Sequence, residues 1–464
     1  MNTKDLIHLG VPEGEAMQCA HAFIRGYIAA GNDGGALAED VFRIVADPAA
    51  YFDDPLRGPL ARALYRPAYM PRAELAPWRQ WGSDLEPEAV KQMANACALP
   101  VAVAGALMPD AHVGYGLPIG GVLATENAVI PYAVGVDIAC RMKLTVYDRK
   151  ANVIPGQRDR LANILESETR FGIGAEFKAR RDHDVMDEDW TVSPVTRHLR
   201  DKAWKQLGTS GSGNHFVEFG AFTVTDESLG IPPGEYLALL SHSGSRGTGA
   251  KVCETYSRRA MARRSNLPKE LKQLAWLTLD EEDGQEYWNA MNLMGRYAAA
   301  NHALIHKHIA KKVGAKVILD IENHHNFAWK ERHVVDGESK ELIVHRKGAT
   351  PAGAGTLGII PGSMASPGFV VRGKGEPASL HSASHGAGRV MSRKKALASF
   401  TWSGTKKLLK ERGVDLLSAG LDEVPGVYKD IHSVMAAQTD LVEVLGRFDP
   451  KLVKMAPAGE RPED

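Results

Sequence analysis

The chain has 464 residues, of which 44% are hydrophobic and 24% charged, and its 56 Lys and Arg balance 56 Asp and Glu. These values are ordinary for a folded globular protein and exclude a strongly basic chain, so a nucleic acid would bind a local basic surface. The longest apolar run is too short for a membrane span, and the first residues lack a leader pattern. The four cysteines form no CxxC pair, which favours a reducing compartment. We therefore predict a cytoplasmic protein with no membrane partner.

The first 85 residues are predicted to be a mostly helical N-terminal addition of unknown role. Apolar side chains recur at helical spacing between residues 14 and about 48, and the GNDGG stretch at 31–35 interrupts them. Residues 51–87 are rich in Pro and Arg, a composition typical of a connecting segment.

From residue 98 onward the pattern changes to short apolar runs that end at Gly, Asn, Pro or Asp, as strands do. The predicted strands are VAVAGALMPD, GGVLAT, AVIPYAVGVD, MKLTVYD, NHFVEFG, YLALLSHSG, AKVILDIEN, ELIVHR and FVVRGKG. Helices are predicted between them near 157–168, 250–264, 283–311, 392–412 and 433–446. Because strands and helices do not alternate regularly, we predict an α+β fold rich in antiparallel sheet. The tail at 456–464 is predicted to be disordered.

Five side chains with metal-binding atoms stand at predicted strand ends beside glycine. They are Asp137, Cys140, His215, His242 and His325. One carboxylate, one thiol and three imidazoles suit a borderline-soft metal, and a thiolate can bridge two ions. Taken singly, each histidine or cysteine is more often a structural residue. The local setting shared by all five favours a metal site.

His385 is a large titratable side chain in the small-residue stretch SASHGAGR. Small neighbours let a bulky substrate reach its ring, and Arg389 stands four residues on, where it can hold phosphate. This pattern predicts a histidine that is accessible to substrate rather than one that fills a core.

Two stretches at 208–215 and 241–249 are rich in Gly, Ser and Thr, whose donors suit phosphate oxygens, although tight turns explain them equally well. Basic residues recur near these turns and around His385. They are Arg246, Arg346, Lys347, Arg372, Lys374, Arg389, Arg393, Lys394 and Lys395. They favour a groove for a polyanion, although a charge run is more often a solvated face.

Nine segments together resemble the RtcB family of RNA ligases. They are LMPDAHVGYGLPIGG, GVDIAC, GSGNHF, HSGSRGTG, HHN, HRKGAT, PGSM, RGKG and SHGAGRVMSR, in this order over residues 107–394. The resemblance continues through YKDIHSVMAAQTDLVEV at 428–444, so it covers about three quarters of the chain. It implies that residues 86–455 form an RtcB-like catalytic domain with antiparallel-rich sheets around a central metal and nucleotide site.

The resemblance also assigns roles to residues. It implies two Mn²⁺ ions bridged by Cys140, one held by His242 and His325 and the other by Asp137 and His215. It implies that GTP guanylylates His385, with Asp110 orienting that ring. The residues matched to the nucleotide or reacting centre are Asn214, Glu218, Arg246, Ser363 and Arg389, with looser matches at Lys347, Tyr428 and Lys454. Ten residues follow Lys454, whereas relatives end close to the corresponding lysine.

The activity implied is a GTP-dependent ligation of broken RNA ends, in RNA repair or tRNA splicing. A 3′-phosphate or 2′,3′-cyclic phosphate end would be joined to a 5′-hydroxyl end, and an accessory activator protein is a further expected partner. Two alternatives stay open. One is a metal-dependent phosphoesterase that uses the same ligands without guanylylation, and the other is a non-catalytic RNA-binding relative.

Overall fold

The computed structural model describes residues 1–12, 14–65 and 69–460. Its contacts divide the chain into two compact units, Met1–Tyr69 and Met70–Asp464. The helices of the described residues are α1 (Thr3–His8), α2 (Glu15–Ala29), α3 (Leu37–Ala46), α4 (Gly58–Leu64), α5 (Pro87–Cys97), α6 (Pro131–Val134), α7 (Val153–Gly156), α8 (Arg158–Glu168), α9 (Pro194–Gln206), α10 (Arg246–Arg263), α11 (Glu282–Val313), α12 (Arg393–Ser399), α13 (Trp402–Arg412) and α14 (Ile431–Ala436). The strands are β1 (Trp78–Gln80), β2 (Ala102–His112), β3 (Ile119–Thr125), β4 (Ala128–Val129), β5 (Arg141–Lys150), β6 (Phe216–Val224), β7 (Gly234–Ser243), β8 (Leu277–Thr278), β9 (Val317–His324), β10 (Asn326–Val335), β11 (Glu338–Lys347), β12 (Ala349–Pro351), β13 (Leu357–Ile360), β14 (Gly368–Gly373), β15 (Ser382–Ser384), β16 (Asp415–Ser418) and β17 (Val442–Met455).

The first unit is built from α1 to α4 around its own apolar core. Phe23 and Tyr27 of α2 pack with Val41 and Ile44 of α3, as the helical spacing on either side of GNDGG predicts. Leu60 of α4 joins the same core, so part of the predicted connecting segment is helical. Residues 66–68 of that segment lie outside the described residues.

The second unit begins before the predicted boundary at residue 85. Strand β1 pairs in parallel with Gly105–Leu107 of β2, and the indole of Trp81 is buried in the core beside that sheet. Residues 70–85, which the sequence analysis grouped with the N-terminal addition, therefore contribute a strand to the second unit.

Two large sheets make up the second unit. One has the order β1-β2-β3-β11-β10, and the other has the order β13-β14-β17-β6-β7-β5-β9 with β16 paired to β17 at its side. The pairs within these sheets are antiparallel apart from β1–β2 and β16–β17. The predicted α+β fold with antiparallel-rich sheets is confirmed.

Two predicted elements are wrong. In AVIPYAVGVD only Ala128–Val129 is a strand, because Pro131 begins the short helix α6, where its missing N–H costs nothing. The helix predicted at 433–446 ends at Ala436, and Val442 begins β17, which pairs with β14 and β6. The local spacing of apolar residues does not reveal this strand pairing, because β6 lies far from β17 in the sequence.

Strand β17 contains an irregularity that determines which side chains face each side. Pro450 pairs with Gly220 and Leu452 pairs with the adjacent Phe219, so Lys451 is an extra residue on β17. Beyond this bulge, Val453 and Met455 point to one side of the sheet and Lys454 to the other.

The structure describes residues 456–460 of the segment that is predicted to be a disordered tail. Ala456 is buried, and the Glu460 carboxylate accepts a hydrogen bond from the backbone N–H of Ile173. Residues 461–464 lie outside the described residues. Across the part of the chain that is described, no helix combines the length and apolarity needed to cross a bilayer.

A candidate metal centre beside an accessible histidine

Strand pairing brings four of the predicted ligands together. Arg141, which follows Cys140, pairs with Ser243 on one side and with His324 on the other, while Phe216, which follows His215, pairs with His242. The ends of β5, β6, β7 and β9 therefore lie side by side and direct their donors to one wall of a cleft of about 660 Å³.

The donor atoms form two groups that share Cys140. The first group is Cys140, His242 and His325, and the second is Asp137, Cys140 and His215. Cys140 Sγ lies 3.0 Å from His242 Nε2 and 3.3 Å from His215 Nε2. His215 Nε2 lies 3.0 Å from Asp137 Oδ2, and His242 Nε2 lies 3.2 Å from His325 Nε2. All five side chains are buried.

The protonation states of His242, His325 and Asp137 favour the binding of a cation. His242 donates its Nδ1 proton to the backbone oxygen of Asn214, which leaves the Nε2 lone pair directed at Cys140 and His325. Burial, followed by the charge of His215, lowers the pKa of His242 to about 3, and burial holds the pKa of His325 well below its ordinary value. Burial opposes ionisation of Asp137, but the hydrogen bond and charge of His215 lower its pKa to about 2. Neutral imidazoles and a carboxylate are the forms that bind a metal.

Helix α11 supports the loops that carry these donors. The Asn301 side chain accepts from Gly208 N–H at 2.8 Å and donates to the Gly244 carbonyl at 3.0 Å, so it links the two Gly-rich stretches. His302 donates to the Ser243 carbonyl at 3.0 Å. Ser245 N–H in turn donates to Asp137 Oδ1 at 2.9 Å, which fixes the carboxylate. A rigid helix thus sets loop positions that the loops alone would leave variable.

His385 lies beside these donors, with its ring centroid 4.9 Å from that of His325. Its Nδ1 donates to Asp110 Oδ2 at 2.7 Å, and the same oxygen accepts from His385 N–H and Gly386 N–H at 3.2 and 3.3 Å. Asp110 is fully buried, whereas the His385 side chain is 17% exposed. Because Nδ1 holds the proton, Nε2 keeps a lone pair for a substrate.

Gly388 keeps this loop in place. Its φ is +76°, and a Cβ there would lie 2.0 Å from the Asp110 carbonyl oxygen. Only glycine permits this approach, so the small residues around His385 bring its loop against Asp110 and also open a route to the ring.

Most of the other predicted nucleotide residues line the same cleft. They are Asn214, Glu218, Lys347, Ser363, Arg389 and Tyr428. Burial lowers the pKa of Lys347 to about 7 and raises the pKa of Glu218 well above its ordinary value. The Lys347 ammonium donates to the Tyr115 carbonyl, and the Arg389 guanidinium lies 5.7 Å from the Tyr428 ring centroid.

Arg246 and Lys454 have different surroundings. Arg246 is buried, with Nη1 3.3 Å from His215 Nδ1, so it contacts a proposed metal ligand. Lys454 donates from Nζ to Glu166 at 2.7 Å and to the Leu165 carbonyl at 3.4 Å. Its neighbours Val453 and Met455 line the cleft, so strand alternation turns Lys454 to the opposite side. The structure does not bring Lys454 to the nucleotide residues.

The predicted groove of basic residues is divided among several places. Arg346 is buried in a bidentate pair with Glu331, and Arg372 and Lys374 lie at the β14 end beside Glu443 and Thr439. Arg389, Lys347 and Arg393 line the cleft. The prediction that these cations share one groove was therefore too broad, because residues that are close in the sequence lie on different surfaces.

Two residues that line the cleft, Glu423 and Asn326, are not among the predicted site residues. Glu423 is buried and accepts from Arg389, Arg393 and the Tyr428 hydroxyl, so it holds three cleft side chains together. Asn326 accepts from Gly348 N–H at 2.8 Å and donates to the Asp137 carbonyl at 3.2 Å. Asn326 directly follows His325 and could have been noticed for that reason, whereas nothing in the sequence around Glu423 marks it.

Comparisons with known proteins identify relatives of the second unit. A family model described as tRNA-splicing ligase RtcB matches residues 92–455. The chain is 33% identical over 404 residues to the RNA-splicing ligase RtcB of Escherichia coli K12, covering 80% of this chain and 95% of that protein. It is 31% identical over 448 residues to the tRNA-splicing ligase RtcB of Methanococcus maripaludis, covering 81% of this chain and 92% of that protein. The corresponding protein of Archaeoglobus fulgidus is 31% identical over 436 residues.

Proposed function

Because this chain belongs to the RtcB family, we propose that it is a GTP-dependent RNA ligase that joins 3′-phosphate or 2′,3′-cyclic phosphate ends to 5′-hydroxyl ends. The proposal rests above all on one observation. His385 donates its Nδ1 proton to the buried Asp110 and keeps an Nε2 lone pair beside a cluster of metal-binding side chains. RNA with broken ends and GTP are the proposed substrates, in RNA repair or tRNA splicing, and an accessory activator protein is a further proposed partner.

The donor set fits two Mn²⁺ ions. Cys140 Sγ lies 3.3 and 3.0 Å from Nε2 of His215 and His242, so these donor atoms meet at about hydrogen-bond distance, and His325 Nδ1 is buried without a hydrogen-bond partner. Cys140 would be shared, with His242 and His325 on one ion and Asp137 and His215 on the other. When bound, the ions would neutralise charge on the phosphates of GTP and of the RNA end.

His385 is the proposed nucleophile of the first step. Its Nε2 attacks the α-phosphorus of GTP, so a P–N bond forms while the bond to the pyrophosphate leaving group breaks. Nδ1 of His385 keeps its proton and donates it in the hydrogen bond to the Asp110 carboxylate, whose negative charge stabilises the positive charge that the ring acquires. Arg389 and Lys347 line the cleft and can hold phosphate oxygens there.

The later steps pass GMP to RNA and then release it. Water first opens a cyclic phosphate end to a 3′-phosphate. An oxygen of that phosphate attacks the GMP phosphorus, the P–N bond breaks, and its electron pair returns to His385 Nε2. The 5′-hydroxyl of the other end then attacks the RNA 3′-phosphorus, GMP leaves, and the hydroxyl proton passes to a base or water. Asn214, Glu218, Ser363 and Tyr428 are the proposed contacts to the nucleotide or reacting centre.

The proposal is tested with α-labelled GTP and Mn²⁺ in the absence of RNA. We expect label to stay on the denatured protein, to be acid-labile as a P–N bond is, and to disappear in His385→Ala. His381→Ala is the matched control, because His381 lies four residues before His385 and its ring packs against His333 instead. Label in His381→Ala together with its loss in His385→Ala is the expected result.

The same assay separates the alternatives. Opening of a cyclic phosphate without GTP, by a protein that takes no label under Mn²⁺, would replace the ligase with a phosphoesterase. Purified protein that binds no divalent metal and takes no label would support the non-catalytic RNA-binding alternative.

A further inference from the structure

The helices α12 and α13 form one side of the cleft. Ala396 of α12 and Phe400, which directly follows that helix, pack with Val424, Val427 and Tyr428, and Tyr428 lines the cleft. In α13, Leu409 and the half-buried Trp402 pack with Met364 and Met455, which also line the cleft. Both helices are therefore fixed to the walls of the site by their apolar faces.

The outward faces of these helices are strongly basic. The exposed cations are Lys394, Lys395, Lys406, Lys407, Lys410 and Arg412, and Glu411 is the one acidic residue from 390 to 412. Among the described residues, none of these six side chains forms an ion pair. Arg389 and Arg393, which line the cleft, are by contrast paired with Glu423. We call the six exposed cations the basic face.

The basic face is continuous with the site at one end and with a second cavity at the other. Ser392, which caps α12, and Arg393, its first residue, line the cleft directly after the loop that carries His385. At the far end, Lys406 and Lys410, one turn apart on α13, line a separate cavity of about 830 Å³. At 1.5 Å per residue the two helices are roughly 10 and 16 Å long, enough for several nucleotides spaced at about 3.4 Å.

The chemistry of this face fits a nucleic acid strand. Unpaired exposed lysines suit phosphates, because they release counterions without first breaking an ion pair. Leu397 and Val390 are 56% and 52% exposed beside these cations, and apolar side chains of this kind can contact sugars and bases. A strand whose end lies at His385 would leave the cleft over Ser392 and Arg393.

We propose that the basic face binds the RNA strand whose 3′-phosphate end enters the cleft, with its phosphates on Lys394, Lys395, Lys406 and Lys410. This rests on the proposed ligase function, which supplies the strand. The interaction is with the backbone and is independent of base sequence, since lysines contact phosphate rather than base edges.

The test measures binding of fluorescent single-stranded RNA with a 3′-phosphate, without GTP. The variant carries Lys394→Gln, Lys395→Gln, Lys406→Gln and Lys410→Gln, and the control carries Lys202→Gln and Lys205→Gln, exposed lysines of α9. For an RNA of about 16 nucleotides we expect the Kd of the variant to rise at least about tenfold, with a salt slope flatter by about 0.7 for each lysine–phosphate interaction that the substitutions remove. For an RNA of about four nucleotides, which lies within the cleft, variant and unaltered chain should bind alike.

The outcomes are distinguishable from failure of the ligase proposal. GMP labelling of His385 needs no RNA, so the variant should label like the unaltered chain. Absence of labelling in the unaltered chain would contradict the proposed ligase function. The salt dependence of RNA binding would still test whether the basic face binds RNA. Equal Kd and salt slope for the long RNA in variant and unaltered chain overturn the proposal. So does RNA binding that is unchanged while binding of polyglutamate is lost, since that assigns the face to an acidic protein.

Discussion

Two groups of buried histidines lie on either side of β7 and differ in what their nitrogens meet. His242 Nε2 lies 3.2 Å from His325 Nε2 and 3.0 Å from Cys140 Sγ. His302 and His306 on α11 have partners at both nitrogens: Ser241 lies between them at 2.8 Å from each, Ser243 accepts from His302, and Thr145 contacts His306. The first group has lone pairs that a cation can satisfy, and the second is satisfied by the protein. Burial is the same in both, so hydrogen-bond partners distinguish a metal site from a structural network.

The largest effect is expected from Cys140→Ser, which removes the sulfur that both donor groups share. Serine is a poor ligand for a borderline-soft metal, so bound Mn²⁺ and GMP labelling should each fall by at least about a hundredfold. Metal content by mass spectrometry and label stoichiometry measure this. Cys253→Ser is the matched control, because Cys253 is equally buried but lies against Pro131 and Ser257. Equal metal content in both variants would contradict the assignment.

Asp110→Asn should reduce catalysis while sparing metal binding. The amide keeps the size of the carboxylate but loses the charge that stabilises the His385 ring when it bonds to phosphorus. We expect the rate of GMP labelling to fall by about 10² to 10⁴, with Mn²⁺ content and the KM for GTP unchanged. Rapid-quench labelling measures the rate. An unchanged rate would remove Asp110 from the mechanism.

His302→Ala should reverse this pattern by lowering stability and sparing the metal. It leaves the Ser243 carbonyl without the His302 donor and leaves Ser241 with only His306 of its two histidine partners, at a cost of about 1–3 kcal/mol in the free energy of unfolding. Denaturant unfolding measures the loss, and Mn²⁺ bound per chain should be unaltered. If the variant instead lost bound Mn²⁺ in proportion to its loss of stability, His302 would be required for metal binding as well as for stability.

The smallest effect concerns pH. Burial holds the pKa values of His302 and His306 well below 6.5, so the folded chain keeps them neutral. Their contribution to stability is present above the unfolded pKa of about 6.5 and is lost as the pH falls below it, at about 1.4 kcal/mol per pH unit for each histidine. His302→Gln should flatten the dependence by that amount between pH 6.5 and 5. An unchanged slope in urea unfolding would show that this histidine does not link protonation to stability.

Sequence patterns predicted the donors and His385 because each stands at or near a strand end beside small residues, where residue types alone carry the signal. They also indicated α+β structure, since period-two and helical spacings are local. They missed Glu423 because its role comes from Arg389, Arg393 and Tyr428 converging on it. The family resemblance matched Lys454 to the nucleotide, because a sequence motif does not show which side of a strand a residue faces.

The side of β17 on which each residue lies determines how this cleft can change. The extra residue Lys451 in β17 fixes which face each later side chain takes, so Val453 and Met455 meet the cleft and Lys454 meets Glu166. Deletion of one residue at the bulge would exchange the two faces and bring an ammonium group to a wall that is now apolar. The polarity of this wall therefore depends on whether the number of residues at the β17 bulge is even or odd. The loss or gain of a single codon there would alter the polarity without any substitution.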